Sequence, residues 1–370
     1  MSGFDALGNL GLKAIRRLRD VPKPVVRAMR RRAREAEHRG FRRQADRTLA
    51  EIADVARGQR PIVVGPWLAE VGYEVLYWVP FVRWFQDRFA VPRERLIAVS
   101  RGGLETVYAD LTSTYVDLFD LMTPAQFGAR NAERRSSQEG GGQKQSDLSP
   151  FDQQVIQGAR GVLGAPDVAV LHPSLMFRLF RQVWYGNLPQ DLMWTHVRHV
   201  RAAHAAPRPE GLPDGYIAAK FYAGPALHMT DATRAAVRAL VAHAAATSPV
   251  VVLDTDLPVD EHRDFDLRGI PNLTFLGARL RPRDNLGLQL DTIAHARSFL
   301  GTCGGLAWHA PFLGVPTVAV YEDDRLLTPH LLAARQAGER AGAADFAPLD
   351  LRALVFTGLL TASTAAPRLE

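Results

Sequence analysis

Two textures of apolar and polar positions follow one another along the chain. Over residues 11–57 apolar positions are sparse. Leu12, Ile15 and Leu18, then Val25, Val26 and Met29, give only a partial stripe in an Arg- and Ala-rich background that reads as helix, with Pro22 and Pro24 breaking it early. From residue 61 short continuous apolar runs appear. Ile62-Val63-Val64, Leu96-Ile97-Ala98-Val99 and Val168-Ala169-Val170-Leu171 have the length of buried strands. Helical stretches are predicted at 73–89, 103–111, 151–163 and 174–204, the last carrying Phe177, Phe180, Trp184, Tyr185 and Trp194, with a further short element at 115–122. Residues 124–150 interrupt the rhythm: Ser136, Ser137, Gly140-Gly141-Gly142 and several glutamines predict a mobile insertion.

Pro207, Pro209, Gly211, Pro213 and Gly215 make 205–215 the best linker in the chain. A second series follows, with strands expected at 216–221, 250–253, 273–276, 299–300 and 317–321 and helices at 230–247, 285–297 and 304–313. Strands alternating with helices specify parallel sheets. The expected organisation is a basic helical N-terminal arm (1–60), an α/β domain of Rossmann type (61–206, insertion at about 124–150 included) and a second one (207–370).

Composition narrows the class. The chain has 370 residues, enough for two domains, and 23% charged residues, ordinary for a globular protein. Residues 1–60 hold 16 Lys/Arg against 7 Asp/Glu, a balance of +9 within a net charge of +6, so the other 310 residues sum to −3. The arm is therefore either a contact for an anionic membrane surface or a solvated helix packed on the body. Nucleic acid is disfavoured, because no aromatic residues interleave with the arginines. One cysteine, Cys303, cannot build a disulfide framework or a zinc site and fits a reducing compartment. No apolar run reaches membrane-spanning length and the N-terminus lacks a signal-type core, so a cytoplasmic protein, peripheral at most, is expected.

Residues 298–322 carry the candidate chemistry. A strand ends at Gly301, a small-residue turn Thr302-Cys303-Gly304-Gly305 follows, then a short helix, a stop at Gly314-Val315-Pro316 and another strand. Glycines let a phosphate approach the backbone, and a helix start offers unpaired N–H groups. The segment resembles the donor site of GT-B glycosyltransferases, especially bacterial heptosyltransferase-like and envelope-polysaccharide enzymes, in which a "G-T-x-G-G-L … G-x-P" unit holds the donor diphosphate. The layout from about 61 to 345 resembles that fold as a whole. The resemblance implies two Rossmann-like domains facing across a cleft and a nucleotide-sugar donor. Thr302, Gly304, Gly305 and Leu306 would contact the diphosphate, Lys220, Arg279 and Arg281 would reach donor phosphates, and Glu322 would accept from a ribose or sugar hydroxyl. Cys303 and His309 receive no catalytic role.

In inverting enzymes of this fold a carboxylate of the first domain commonly deprotonates the acceptor. That implies Glu70, in the loop Gly65–Gly72, as first choice and Glu74, one turn later, as second; His172, after the strand ending at Leu171, is an alternative base. Gly72, Tyr73 and Arg101 are the expected acceptor contacts, Arg101 for a phosphate or carboxylate. Asp254-Thr255-Asp256 forms a D-x-D, a metal motif in GT-A enzymes, but here it ends a strand, so no metal or other cofactor is expected. The expected function is hexosyl- or heptosyl-type transfer, inverting, from a nucleotide sugar to a carbohydrate or lipid-linked acceptor. An epimerase or hydrolase, a non-catalytic nucleotide-sugar-binding protein and a membrane-surface scaffold are the alternatives.

Overall fold

The structure is a computed structural model that describes residues 23–137, 145–202, 206–254, 263–325 and 327–356. Residues 1–22, part of the expected insertion, Thr255 and Asp256 of the D-x-D, and 357–370 lie outside the described residues.

The N-terminal half opens with α1 (Lys23–Ala56), β1 (Ile62–Val64), α2 (Val71–Tyr73), a π-helical turn (Glu74–Trp78) and α3 (Val79–Phe89). It continues through β2 (Leu96–Ser100), a 3-10 turn (Leu104–Tyr108), β3 (Thr114–Asp117), α4 (Leu118–Leu121), α5 (Pro124–Ser137), α6 (Pro150–Leu163), β4 (Ala169–Leu171), α7 (Pro173–Trp184) and α8 (Asp191–Trp194). Its sheet has the order β3-β2-β1-β4, parallel throughout. Every residue of β1 and β2 is buried, which is why these strands read as unbroken apolar runs.

The C-terminal half contains β5 (Ile217–Lys220), β6 (Tyr222–Ala223), α9 (Asp231–Ala245), β7 (Val250–Val252), β8 (Arg263–Asp264) and β9 (Leu273–Phe275). Then come α10 (Asn285–Ala294), β10 (Ser298–Thr302), α11 (Gly305–His309), β11 (Thr317–Tyr321), α12 (Thr328–Ala341), β12 (Phe346–Asp350) and α13 (Leu351–Phe356). Its sheet runs β12-β11-β10-β5-β7-β9, again parallel, with β6 and β8 as a small antiparallel pair beside it. Counted from β5, this is the doubly wound order 3-2-1-4-5-6. Strand order reverses between β5 and β10, and in the first sheet between β1 and β4. Ligand crevices form at such switch points, beyond the carboxyl ends of the strands.

Three expectations change. Residues 124–137 form helix α5 and not a loop; its polar composition hides a face on which only Phe127, Asn131 and Arg134 are buried. The aromatic helix ends at Trp184, and 195–202 is irregular, bonding Pro80 through the Arg198 amide and Phe312 through the Ala202 amide. A sixth strand, β12, closes the second sheet at an edge, where Pro348 is tolerated. The second half of α1 is part of the body: Ala45 and Ile52 are buried against the core, α7 packs alongside, and Arg178 grips Glu51 at 2.6 and 3.2 Å. No helix among the described residues is long and apolar enough to cross a membrane.

Candidate active site

Both switch points are furnished by turns that need glycine. After β10, Gly304 adopts φ +145° and Gly305 φ +30°, and a side chain at Gly304 would meet the Tyr222 hydroxyl at 2.8 Å. Across the interface lies Gly72 in α2. A Cβ there would stand 2.9 Å from the Gly305 amide nitrogen and 2.9 Å from the Trp308 ring, so the two halves touch backbone to backbone at the turn.

Around that contact the halves are clasped. The Gly102 carbonyl, beyond β2, accepts from the Leu286 and Gly287 amides in the first turn of α10, at 2.7 and 2.9 Å. Arg283 reaches Asp120 at 3.0 Å, Asp117 at 3.4 Å and Glu105 at 3.5 Å. His330, on α12, is buried between Tyr73 and Tyr77, whose hydroxyls lie 2.7 Å from Nε2 and 2.6 Å from Nδ1.

The π-helical turn carries Glu74 into this region. Its carboxyl is fully buried; Oε1 accepts from the Ser100 hydroxyl at 2.5 Å and the Tyr108 hydroxyl at 2.6 Å, while Oε2 has no hydrogen-bond partner. Burial pushes its pKa up from 4.5 to about 7; the two hydroxyls and Arg101 pull it back, and Asp117 pushes it further. Arg101 is itself buried, its guanidinium 5.3 Å over the Phe127 ring and its Nη1 without a partner.

Glu70 differs. It is the half-buried residue before α2, with no side-chain cap bond, and its carbonyl accepts from the Trp67 indole at 3.2 Å. Its charge acts on Tyr73, whose hydroxyl burial and Glu70 together push far above the ordinary range. His172 caps α7: Nδ1 accepts from the Ser174 amide at 3.2 Å, and Nε2 lies 3.2 Å from Asp152 Oδ1 without hydrogen-bond geometry. Burial raises the Asp152 pKa, but His172 and Ser149 outweigh it and hold the group low. Gln145 ties Asp152 to the Gly65–Glu70 loop, donating to Asp152 at 2.7 Å and to the Pro66 carbonyl at 2.8 Å and accepting from the Leu68 amide at 2.8 Å.

On the C-terminal side, Lys220 ends β5 beside the turn, its ammonium 2.8 Å from Asp264 on β8. Leu306 is buried in α11. The Thr302 hydroxyl is engaged by Tyr222, accepting from its amide at 2.9 Å and donating to its carbonyl at 3.0 Å, so it holds β6 in place rather than pointing at a ligand. Glu322 accepts from the Thr233 hydroxyl at 2.6 Å and the His228 amide at 3.4 Å. Arg279 and Arg281 are not gathered with these groups. Arg279 is exposed and donates to the Glu210 carbonyl at 2.5 Å on the linker, and Arg281 is exposed beside Asp284. The Cys303 thiol, pushed up to about 12 by burial, is inert at neutral pH.

Sequence reasoning missed Ser100's bond to Glu74, and Tyr108, Tyr222, Asp264 and His330 altogether. Each gains its place from strands or helices remote in sequence, and no local motif marks them. Among the described residues no group of three or more His, Cys, Asp or Glu is arranged to hold a metal ion.

No family model matches the chain, and no curated protein matches it. Several solved structures are similar to it. A glycosyl transferase family 9 protein from Veillonella parvula is 14% identical, with a TM-score of 0.43, covering 81% of this chain and 88% of that one. The ADP-heptose LPS heptosyltransferase II of E. coli is 15% identical, with a TM-score of 0.38, covering 79% and 90%. A putative UDP-N-acetylglucosamine 2-epimerase from Listeria monocytogenes is 12% identical, with a TM-score of 0.34, covering 85% and 99%.

Proposed function

We propose that the protein transfers a sugar from a nucleotide-activated donor to an acceptor hydroxyl. The observation that carries this reading is the meeting of the two switch points: the Gly304-Gly305 turn of one sheet lies on Gly72 of the other, two residues before Glu74 and its buried carboxyl. In this reading the turn and Lys220 hold the donor diphosphate and stabilise the charge that develops as it leaves. Glu74 is the preferred base and replaces Glu70 as first choice. An acid poised at about 7 takes a proton at neutral pH. Its Oε2, without a hydrogen-bond partner among the described residues, carries the lone pair that would receive the acceptor's proton as the oxygen attacks the anomeric carbon, with inversion. The contacts at Gly72, Gly102, Arg283 and His330 then belong to a closed conformer that opens to admit substrates.

The test is a panel of nucleotide sugars with candidate glycan and lipid-linked acceptors, read as nucleoside diphosphate release and product NMR. Transfer by the wild type, and its loss in Glu74→Gln with nucleoside diphosphate affinity within a few-fold, supports the reading. Release without acceptor, or a donor epimer as product, points instead to hydrolysis or epimerisation.

The exposed part of α1, with Arg31, Arg32, Arg34 and Arg39, supports contact with an anionic membrane surface, each cation contributing about 1 kcal/mol near such a surface. Changing Arg31, Arg32 and Arg34 to Glu should abolish sedimentation with phosphatidylserine vesicles; unchanged sedimentation, or binding to RNA in its place, counts against it.

A further inference from the structure

A buried guanidinium nitrogen without a hydrogen-bond partner is costly, and Arg101 carries one among the described residues. Arg101 is 6% exposed, and the nitrogen is its Nη1. The carboxylates nearby are turned to other groups. Asp117 accepts from the Gly103 and Phe119 amides and pairs with Arg283. Asp152 is held by Ser149, Gln145 and His172. Glu74 feels the charge of Arg101 but gives its bonded oxygen to two hydroxyls.

A second buried cation, Arg134, lies near enough to feel the charge of Arg101. Phe127, Asn131 and Arg134 are spaced i, i+4, i+7 and form the buried face of α5. Phe127 lies under the Arg101 guanidinium, and Asn131 fixes Arg134 by accepting from its Nε at 2.9 Å. Arg134 is 3% exposed, and burial lowers its pKa to about 10, with Arg135 and Arg101 adding to the lowering and Asp152 opposing it. The unpartnered Nη1 of Arg101, buried over Phe127 with a second guanidinium near enough to feel its charge, marks a place for an anion.

We propose that Arg101, with Arg134 beside it, holds an oxyanion of the acceptor, a phosphate monoester or a carboxylate, next to Glu74. Planar guanidinium groups bind such oxygens in bidentate fashion. The anchor would set the acceptor's charged group on one side of Glu74 and its reacting hydroxyl against Oε2. This inference rests on the N-terminal half being the acceptor side, and it gives α5 a role that its loop-like composition conceals.

Binding measured without donor separates it from transfer itself. Calorimetric titration of the full chain would use glucose 1-phosphate, glucuronate and neutral glucose as probes. The wild type should bind one or both charged sugars at least about tenfold more tightly than glucose. Arg101→Met and Arg134→Met should each erase that preference, Arg101→Lys should keep part of it, and nucleoside diphosphate affinity should stay within about threefold in all three. Preference for one charged sugar over the other tells phosphate from carboxylate. The proposal is overturned if the wild type does not distinguish charged from neutral sugar, if the preference survives in Arg101→Met, or if nucleoside diphosphate affinity falls with it, which would give the guanidinium groups to the donor. Should a Met variant fail to fold, the wild-type comparison and Arg101→Lys still decide. A wild type that shows the preference but no transfer with any donor would sink the transferase reading alone.

Discussion

Replacing Glu74 with glutamine should stabilise the protein while disabling it, and the stabilisation should depend on pH in a fixed sense. The carboxyl is fully buried and titrates at about 7 instead of 4.5, with burial as the main cause. In the unfolded chain it ionises near its ordinary value. Between those two values the folded state therefore holds a proton that the unfolded state has lost, and stability must fall as pH rises through that window. The full cost is reached above the folded pKa. At about 1.4 kcal/mol per pH unit, the interval from 4.5 to about 7 amounts to about 3 kcal/mol. Glutamine has no charge to bury, and its amide oxygen can accept from Ser100 and Tyr108 as Oε1 does. Its amide nitrogen takes the place of Oε2, which has no partner to lose.

Urea unfolding of wild type and Glu74→Gln at pH 4.5 and pH 8 measures this. The variant should gain about 3 kcal/mol relative to wild type on going from the lower pH to the higher. At pH 8 the same variant should lose transfer by about 10²–10⁴-fold. A stability difference that is flat with pH would refute the burial argument, and undiminished turnover would remove Glu74 as the base. Both outcomes together would leave Glu74 an ordinary core residue.

Other perturbations bear on separate parts of the structure. Glu70→Gln should keep transfer within a few-fold of wild type; a loss as large as that of Glu74→Gln would restore Glu70 as the base. Gly72→Ala places a methyl against the Gly305 amide and the Trp308 ring, so transfer should fall about tenfold or more with the fold intact, read by kinetics beside circular dichroism. His330→Phe strips partners from the Tyr73 and Tyr77 hydroxyls and should cost about 2 kcal/mol in urea unfolding; no change would mean the clasp contributes nothing. Ile52→Ala should cost about 2–5 kcal/mol, because α1 is built into the first core at that point, which also makes removal of residues 1–57 a destabilising change and not a neutral trimming. EDTA should leave transfer unchanged; inhibition reversed by a divalent cation would return attention to Asp254.

The strands were legible where short, largely apolar runs marked them: 62–64, 96–100, 169–171, 217–220, 250–252, 273–275, 298–302 and 317–321. β12 was not, because an edge strand alternates and Pro348 disguises it. α5 was not, because a helix that buries Phe127, Asn131 and Arg134 shows hardly any apolar stripe. The Gly304-Gly305 turn was legible as a turn, since positive φ angles demand glycine, but its neighbour Gly72 was only a glycine in a loop until the second half was laid on it.

The choice between Glu70 and Glu74 shows where a stronger signal lay. Glu70 drew attention by standing in the loop at a strand's end. Glu74 stands inside Tyr73-Glu74-Val75-Leu76-Tyr77-Trp78-Val79-Pro80-Phe81-Val82, a run with no other charge. A helix apolar on every side must be covered on every side. Residues 74–83 are all buried, sharing a core with β1 and β2 of their own sheet and touching α11 and α12 of the other half. One carboxylate in such a run cannot be a solvated surface charge. It must be neutralised, hydrogen-bonded or put to use, and with Ser100 and Tyr108 satisfying one oxygen only, a use for the other remains to be filled. The π-helical turn that begins at Glu74 has the same meaning in the backbone: an inserted residue in a helix is retained where it aims a side chain that regular spacing would misplace.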